Sequence, residues 1–238
     1  MEPVLEVSGL CKRYPKFSLE NVSFSLEKGH IMGFLGRNGA GKTTTMKSIL
    51  GLVHADAGII RILGQDAARK DVRRQIGYAA GGAAFYPRKT LAQITALTRS
   101  FYPDWDDAAF SHYLEVFRLD PGKQIRQLSE GMKVKFQLAL ALSHGAELLI
   151  LDEPSSGLDP VSRAELTDIF RQLAAKGTSI LFSTHITTDL LGCADDITYI
   201  QAGKMIASKP LPVFLADHPD CDGLEAIMVR LEKEDIQL

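Results

Sequence analysis

Apolar and polar residues alternate along residues 4–10 and 21–26, the period of strands with one face buried and one wet. Residues 31–35 form a continuous apolar run that enters a glycine-rich stretch, and residues 42–50 leave it with the pattern of a helix. Residues 58–63 and 75–78 are further strand candidates. From Thr90 to His144 the period lengthens. Leu91, Ile94 and Leu97, then Phe110, Leu114 and Phe117, recur at helical spacing, with Asp106 or Asp107 as a cap for the second helix. Residues 132–142 are expected to form a third helix. Residues 148–151 are apolar throughout, as suits a central parallel strand covered on both faces. Residues 160–174 place Leu166, Ile169, Phe170 and Leu173 on one side of a helix, and residues 178–182 return to a strand. Residues 197–200 and 204–207 read as a hairpin about Ala202-Gly203, and residues 223–231 as a short amphipathic helix, docked on the core or, alternatively, a dimer contact. This alternation predicts an α/β fold: a mainly parallel sheet with its ligand at the carboxyl ends of the strands, interrupted by a helical insertion.

Composition narrows the picture without changing it. The chain has 238 residues, 45% hydrophobic and 24% charged, enough for one large domain or two small ones. No apolar stretch reaches the roughly 18 residues of a spanning helix. The start, Met1-Glu2-Pro3, lacks the charged-then-apolar pattern of a secretion signal. A membrane role is therefore expected to come through a partner. A net charge of −2 gives no general attraction to a polyanion. Cys11, Cys193 and Cys221 are scattered, odd in number and without metal spacing, as expected of idle thiols in a reducing cytosol.

Chemistry concentrates in two places. Gly36-Arg37-Asn38-Gly39-Ala40-Gly41-Lys42-Thr43 fits the phosphate-loop pattern G-x-x-x-x-G-K-[ST], with a strand before it and a helix after it. Such a loop turns consecutive N–H groups towards phosphate oxygens at a helix start. Gly36, Gly39 and Gly41 permit the close approach, Lys42 brings a positive charge and Thr43 a hydroxyl for Mg²⁺. Asp152, at the end of the apolar strand, is placed to face that metal. Glu153 follows as a base or water-orienting group, a role typically worth about 10²–10⁴ in rate. His185, at the end of the next strand, has hydrogen-bonding capacity for the terminal phosphate or for Glu153.

With these motifs in order, the chain resembles an ATP-binding cassette (ABC) ATPase over nearly its whole length. Residues 36–43 resemble the Walker A loop, 148–153 Walker B and 128–132 (Leu-Ser-Glu-Gly-Met) the signature loop. Ser155-Ser156-Gly157-Leu158-Asp159 resembles the D-loop, His185 the switch histidine and Tyr14 the aromatic that stacks on adenine. The resemblance implies a P-loop NTPase of the ABC ATPase fold, with an N-terminal antiparallel β lobe and a helical insertion carrying the signature loop. Residues 1–78 and 146–238 would form the nucleotide-binding core, and 79–145 the helical subdomain. It also implies a dimer, of like or unlike subunits, that clasps two ATP molecules with Mg²⁺. One subunit would supply Tyr14, Gly36, Asn38, Gly39, Gly41, Lys42, Thr43 and Thr44, and the other Ser129 and Gly131; Asp159 of the D-loop would also contact nucleotide. Thr43 and Asp152 would hold the metal, and Glu153 and His185 would serve catalysis. The expected partners are a second ABC ATPase subunit and integral membrane permease subunits at the cytoplasmic face, with no direct nucleic acid. A short single cassette further resembles the separate ATPases of bacterial export systems.

The chain departs from the family pattern at two points. The signature carries Glu130 and Met132 in place of the commonest glycine and glutamine, while Ser129 and Gly131 are kept. Where the family places a glutamine or glutamate after Ile76-Gly77-Tyr78, this chain has Ala79-Ala80-Gly81-Gly82-Ala83-Ala84; neither Gln75 nor Gln93 is an obvious substitute. Either backbone or water replaces that side chain, or hydrolysis and coupling are weakened. A nucleotide-gated regulator with little turnover is thus the alternative to a transport ATPase. The aromatic clusters Phe85-Tyr86-Pro87 and Phe101–Trp105 are either packing for the helical lobe or a docking groove, with Tyr86 and Trp105 as anchors.

Overall fold

The computed structural model describes residues 3–80 and 86–234. Its strands are β1 (Leu5–Tyr14), β2 (Phe17–Leu26), β3 (Ile31–Leu35), β4 (Ala57–Ile62), β5 (Gln65–Asp66), β6 (Ile76–Ala80), β7 (Leu148–Asp152), β8 (Ser179–Thr184), β9 (Asp196–Gln201) and β10 (Lys204–Pro210). The helices are α1 (Lys42–Ile49), α2 (Lys70–Arg73), α3 (Leu91–Arg99), α4 (Asp107–Val116), α5 (Glu130–Ser143), α6 (Pro160–Ala175), α7 (Thr187–Cys193), α8 (Leu211–Ala216) and α9 (Gly223–Glu234). No helix among the described residues is long and apolar enough to cross a membrane.

The strands form one sheet in the order β5-β4-β1-β2-β10-β9-β3-β8-β7-β6. From β9 to β6 all neighbours are parallel. The β5-β4-β1-β2 end is antiparallel. The two parts meet where β10 pairs with β2, through Lys204 and Glu20. Every residue of β3, β7 and β8 is buried, because helices or strands cover both faces. Leu149 and Leu151 of β7 join the core shared with α3–α6, while Leu148 and Ile150 join the one shared with α1 and the N-terminal strands. Gly33 of β3 sits where a Cβ would come within 1.8 Å of Leu190, so α7 packs directly on the sheet.

The structure corrects several expected bounds. β1 and β2 run past the alternating segments and close on each other at Tyr14 and Phe17; the exposed ends of this hairpin carry no alternation to read. The third helix of the insertion begins at Glu130 rather than Met132, so the signature loop contributes its first turn. α2, α7, α8 and β5 are new; each is too short to show a period. Asp106, not Asp107, caps α4, accepting from the Ala109 N–H at 2.9 Å. Gln93 is spent locally, since its Oε1 and the Thr90 hydroxyl form a capping box at the start of α3. Trp105 is partly buried, packs on Phe110 at 5.3 Å and donates to Asp107, whereas Tyr86 is exposed. Phe85 and Gly81, whose replacement of the loop glutamine bears on hydrolysis, lie outside the described residues.

Candidate nucleotide site

The site begins with local backbone demands. Gly39 and Gly41 take φ of 83° and 116°, where a side chain is strained. A Cβ at Gly41 would also meet Leu19 at 2.6 Å, and one at Gly36 would meet the Ile200 carbonyl at 2.4 Å. The loop therefore lies tight against β2 and β9 before releasing α1. The first turn of α1 has no side-chain cap and no acidic residue. Its leading N–H groups have no partner within the helix, and the positive end of its dipole is left uncompensated by side chains. These groups border a 490 Å³ cleft lined in part by Asn38, Gly39, Thr43, Thr44 and Glu153. This cradle suits a polyphosphate.

Lys42 is buried and its ammonium donates to the carbonyls of Gly36 at 2.7 Å and Arg37 at 3.3 Å. Glu153 Oε1 lies 3.0 Å from the same nitrogen. That contact is an ion pair by distance, but it lacks hydrogen-bond alignment, which leaves the oxygen buried without a hydrogen-bonded partner. The other oxygen, Oε2, is 2.8 Å from His185 Nδ1. Lys42, Glu153 and His185 thus form a chain from the phosphate cleft, lined by Lys42 and Glu153, to the neighbouring groove that His185 lines, as the position of His185 one strand on from Glu153 suggests.

The main chain aims Glu153. Its φ of 51° is left-handed, a conformation that costs a non-glycine residue about 1–3 kcal/mol. Ser183, paired with Asp152 across β7 and β8, offsets that strain. Its hydroxyl donates to Asp152 Oδ1 at 2.6 Å and accepts from the Glu153 N–H at 2.9 Å. One serine therefore orients both acids. Asp152 is buried with its Oδ1 held by Ser183, and the exposed Thr43 lines the cleft. No cluster of three acidic, histidine or cysteine side chains suited to a metal occurs among the described residues. A Mg²⁺ held by one carboxylate, one hydroxyl and phosphate oxygens fits that donor set.

The other expected site residues stand apart from this cleft. Ser129 is exposed and caps α5, accepting from the Met132 N–H at 3.3 Å. Gly131 faces Leu158 and Ser162 at the start of α6. Asp159 caps α6 by accepting from the N–H groups of Val161 and Ser162, both at 3.0 Å, and from the Ser162 hydroxyl at 2.6 Å. The Ser162 hydroxyl and these amides hold the Asp159 carboxyl below the usual carboxylate range. Tyr14 is half-exposed beside Phe17, with ring centres 6.5 Å apart. Lys16 and Phe17, rather than Tyr14, line the cleft. Neither belongs to a sequence motif; only the tightness of the β1–β2 hairpin brings them to the phosphate loop. A larger groove of 560 Å³ lies between the switch loop and α9 and is lined partly by His185, Ile186, Met228 and Val229.

The α/β sheet, the glycine cradle at a helix start and the paired acids at the end of β7, separated from β3 by β8, define a phosphate-loop NTPase. The family model described as ABC transporter matches residues 19–156. The bacitracin transport ATP-binding protein BcrA of Bacillus licheniformis is 33% identical over 216 residues, covering 88% of this chain and 71% of that protein. The Nod factor export ATP-binding protein I of Burkholderia orbicola is 33% identical over 222 residues, covering 90% and 73%. A solved ATP-binding subunit of an ABC transporter superposes with a TM-score of 0.81 at 31% identity, over 91% of this chain and 93% of that one. The chain belongs to the ABC transporter family, as an ATP-binding subunit whose ATP hydrolysis is coupled to transport.

Proposed function

We propose that this subunit hydrolyses Mg²⁺-ATP within a dimer of ABC ATPase subunits and powers an exporter through permease subunits at the cytoplasmic face of the membrane. Export is favoured by the similarity to the bacitracin and Nod factor proteins. The observation that carries the residue roles is the chain from Lys42 through Glu153 to His185, at 3.0 and 2.8 Å.

In this reading the N–H groups of Gly39, Gly41, Lys42, Thr43 and Thr44 bind phosphate oxygens, and Asn38 borders them. Lys42 neutralises charge there, the role the fold gives a buried ammonium beside backbone donors. Thr43 and Asp152 hold Mg²⁺, which when bound supplies charge neutralisation at the phosphates. Glu153 positions water and accepts its proton, while His185 fixes the carboxylate's orientation. Tyr14, with Phe17, forms the base platform. Ser129, Gly131 and Asp159 serve the partner subunit's nucleotide, an arrangement suited by the outward-facing Ser129 hydroxyl. Residues 79–145 act as the helical subdomain of a single ABC ATPase domain.

Mg²⁺-dependent turnover of the subunit, alone and with its permease, tests the proposal against Glu153→Gln. The substitution is expected to lower turnover by about 10²-fold or more while ATP binding persists. Bound ATP without turnover in the unsubstituted, permease-bound subunit would instead favour the regulator.

A further inference from the structure

Beside the Glu153–His185 pair lies a second, buried polar network centred on Asp189, which belongs to no motif. Asp189, in the first turn of α7, is 4% exposed, as is Ser155, and Thr184 is fully buried. The Asp189 Oδ2 atom accepts from the Ser155 hydroxyl at 2.5 Å and from the Thr184 hydroxyl at 3.3 Å. The Thr184 hydroxyl in turn accepts from the Ile186 N–H at 3.0 Å, closing a turn around His185. Ser155 lies two residues beyond Glu153 and opens the D-loop. One carboxylate oxygen therefore joins the segment that carries the acid to the segment that carries the histidine.

We propose that Asp189 is a positioning residue for hydrolysis: it locks the D-loop to the switch turn and so sets His185 against Glu153. A buried acceptor with two hydroxyl donors is costly to leave unsatisfied, so the two segments move together or not at all. A displacement of the D-loop then reaches His185 through Ser155, Asp189 and Thr184. The plainer role, an acidic residue favouring the start of α7, does not require Ser155 and does not involve His185. The inference rests on Glu153 and His185 acting as the hydrolytic pair, which Glu153→Gln tests on its own.

The experiment compares Asp189→Ala with the isosteric Asp189→Asn, whose amide oxygen retains the acceptor. Two readouts are taken: steady-state ATPase kinetics of the assembled transporter, and the His185 ring ¹H–¹⁵N resonances of the subunit alone. Asp189→Ala is expected to lower kcat about tenfold with KM for ATP within about twofold, and Asp189→Asn to stay within about threefold of the parent. The ring resonances should move in the alanine variant and hold in the asparagine variant, whether or not the subunit turns over. Should the alanine variant not fold, Ser155→Ala cuts the same network at one hydroxyl, with an expected loss of about threefold and the same movement of the ring signals. Unmoved ring resonances in whichever of these two variants folds, or a loss confined to KM, would overturn the proposal.

Discussion

The starts of α1 and α5 are handled in opposite ways. Both follow glycine- or serine-bearing motifs, and both leave N–H groups without partners inside the helix. At α5 the Ser129 side chain satisfies one of them and Glu130 adds a negative charge to the first turn. At α1 no side chain does either, and the buried Lys42 adds a positive charge instead. The first terminus therefore keeps N–H groups open to an anion, with Glu153, 3.0 Å from the Lys42 ammonium, supplying negative charge nearby. The second is stable as it stands and offers an exposed hydroxyl outward. The difference teaches that the phosphate loop leaves its helix-start N–H groups open to a ligand, whereas the signature loop satisfies one of its own and, in the proposed dimer, faces the partner's nucleotide.

The largest expected effect comes from Lys42→Ala, which removes the charge from the uncapped end. Nucleotide binding should fall by about 100-fold or more, measured by calorimetry, since Lys42 is the buried ammonium among the carbonyls of the loop. Ser129→Ala should lower thermal stability by about 1 kcal/mol through the lost cap. It should leave ATP affinity of the lone subunit unchanged and reduce turnover only where subunits pair, read as a loss of the concentration dependence of ATPase rate. A change in lone-subunit affinity would break the comparison.

The smallest effect sits at the far end of α5, where His144 is buried against Tyr102, with ring centres 3.8 Å apart and planes within 9°. Burial pushes the His144 imidazole below its ordinary range, with hydrogen bonding to the Arg74 backbone opposing in part. The unfolded chain then binds a proton that the folded one does not. Stability from this group is present above the ordinary imidazole value, about 6.5, and is lost as pH falls through it towards the folded value. His30 works in the other direction, since its hydrogen bond to Asp196 raises its pKa. The clean measurement is therefore the difference between parent and His144→Phe in melting temperature against pH. The parent should lose more on acidification from pH 7.5 to 5.5.

Legibility followed burial and local signals. The strands β3 and β7 could be read because both faces are covered and their residues are apolar without interruption. The cradle was equally open to reading, because glycine torsions and a lysine at a helix start are local requirements. Ser183 was hidden until β7 and β8 were paired in register, which places it opposite Asp152. Asp189 was hidden for a similar reason: α7 is seven residues long and shows no period, and its partners are 34 and 5 positions away. Phe17 and Lys16 reach the cleft only through the turn between β1 and β2, which the exposed ends of those strands concealed.

The hairpin tip at Gly203 works as a gauge block. Its N–H donates to the Ala40 carbonyl in the phosphate loop, and its carbonyl accepts from the Glu20 N–H in β2, both at 2.9 Å. A Cβ there would fall 1.8 Å from the Ser18 carbonyl. The spacing between the loop that grips phosphate and the strand that begins at Phe17 is thus machined in main chain, with one glycine as its thickness. Surface change elsewhere leaves this calibration untouched, whereas the smallest added methyl group at Gly203 would put the instrument out of true.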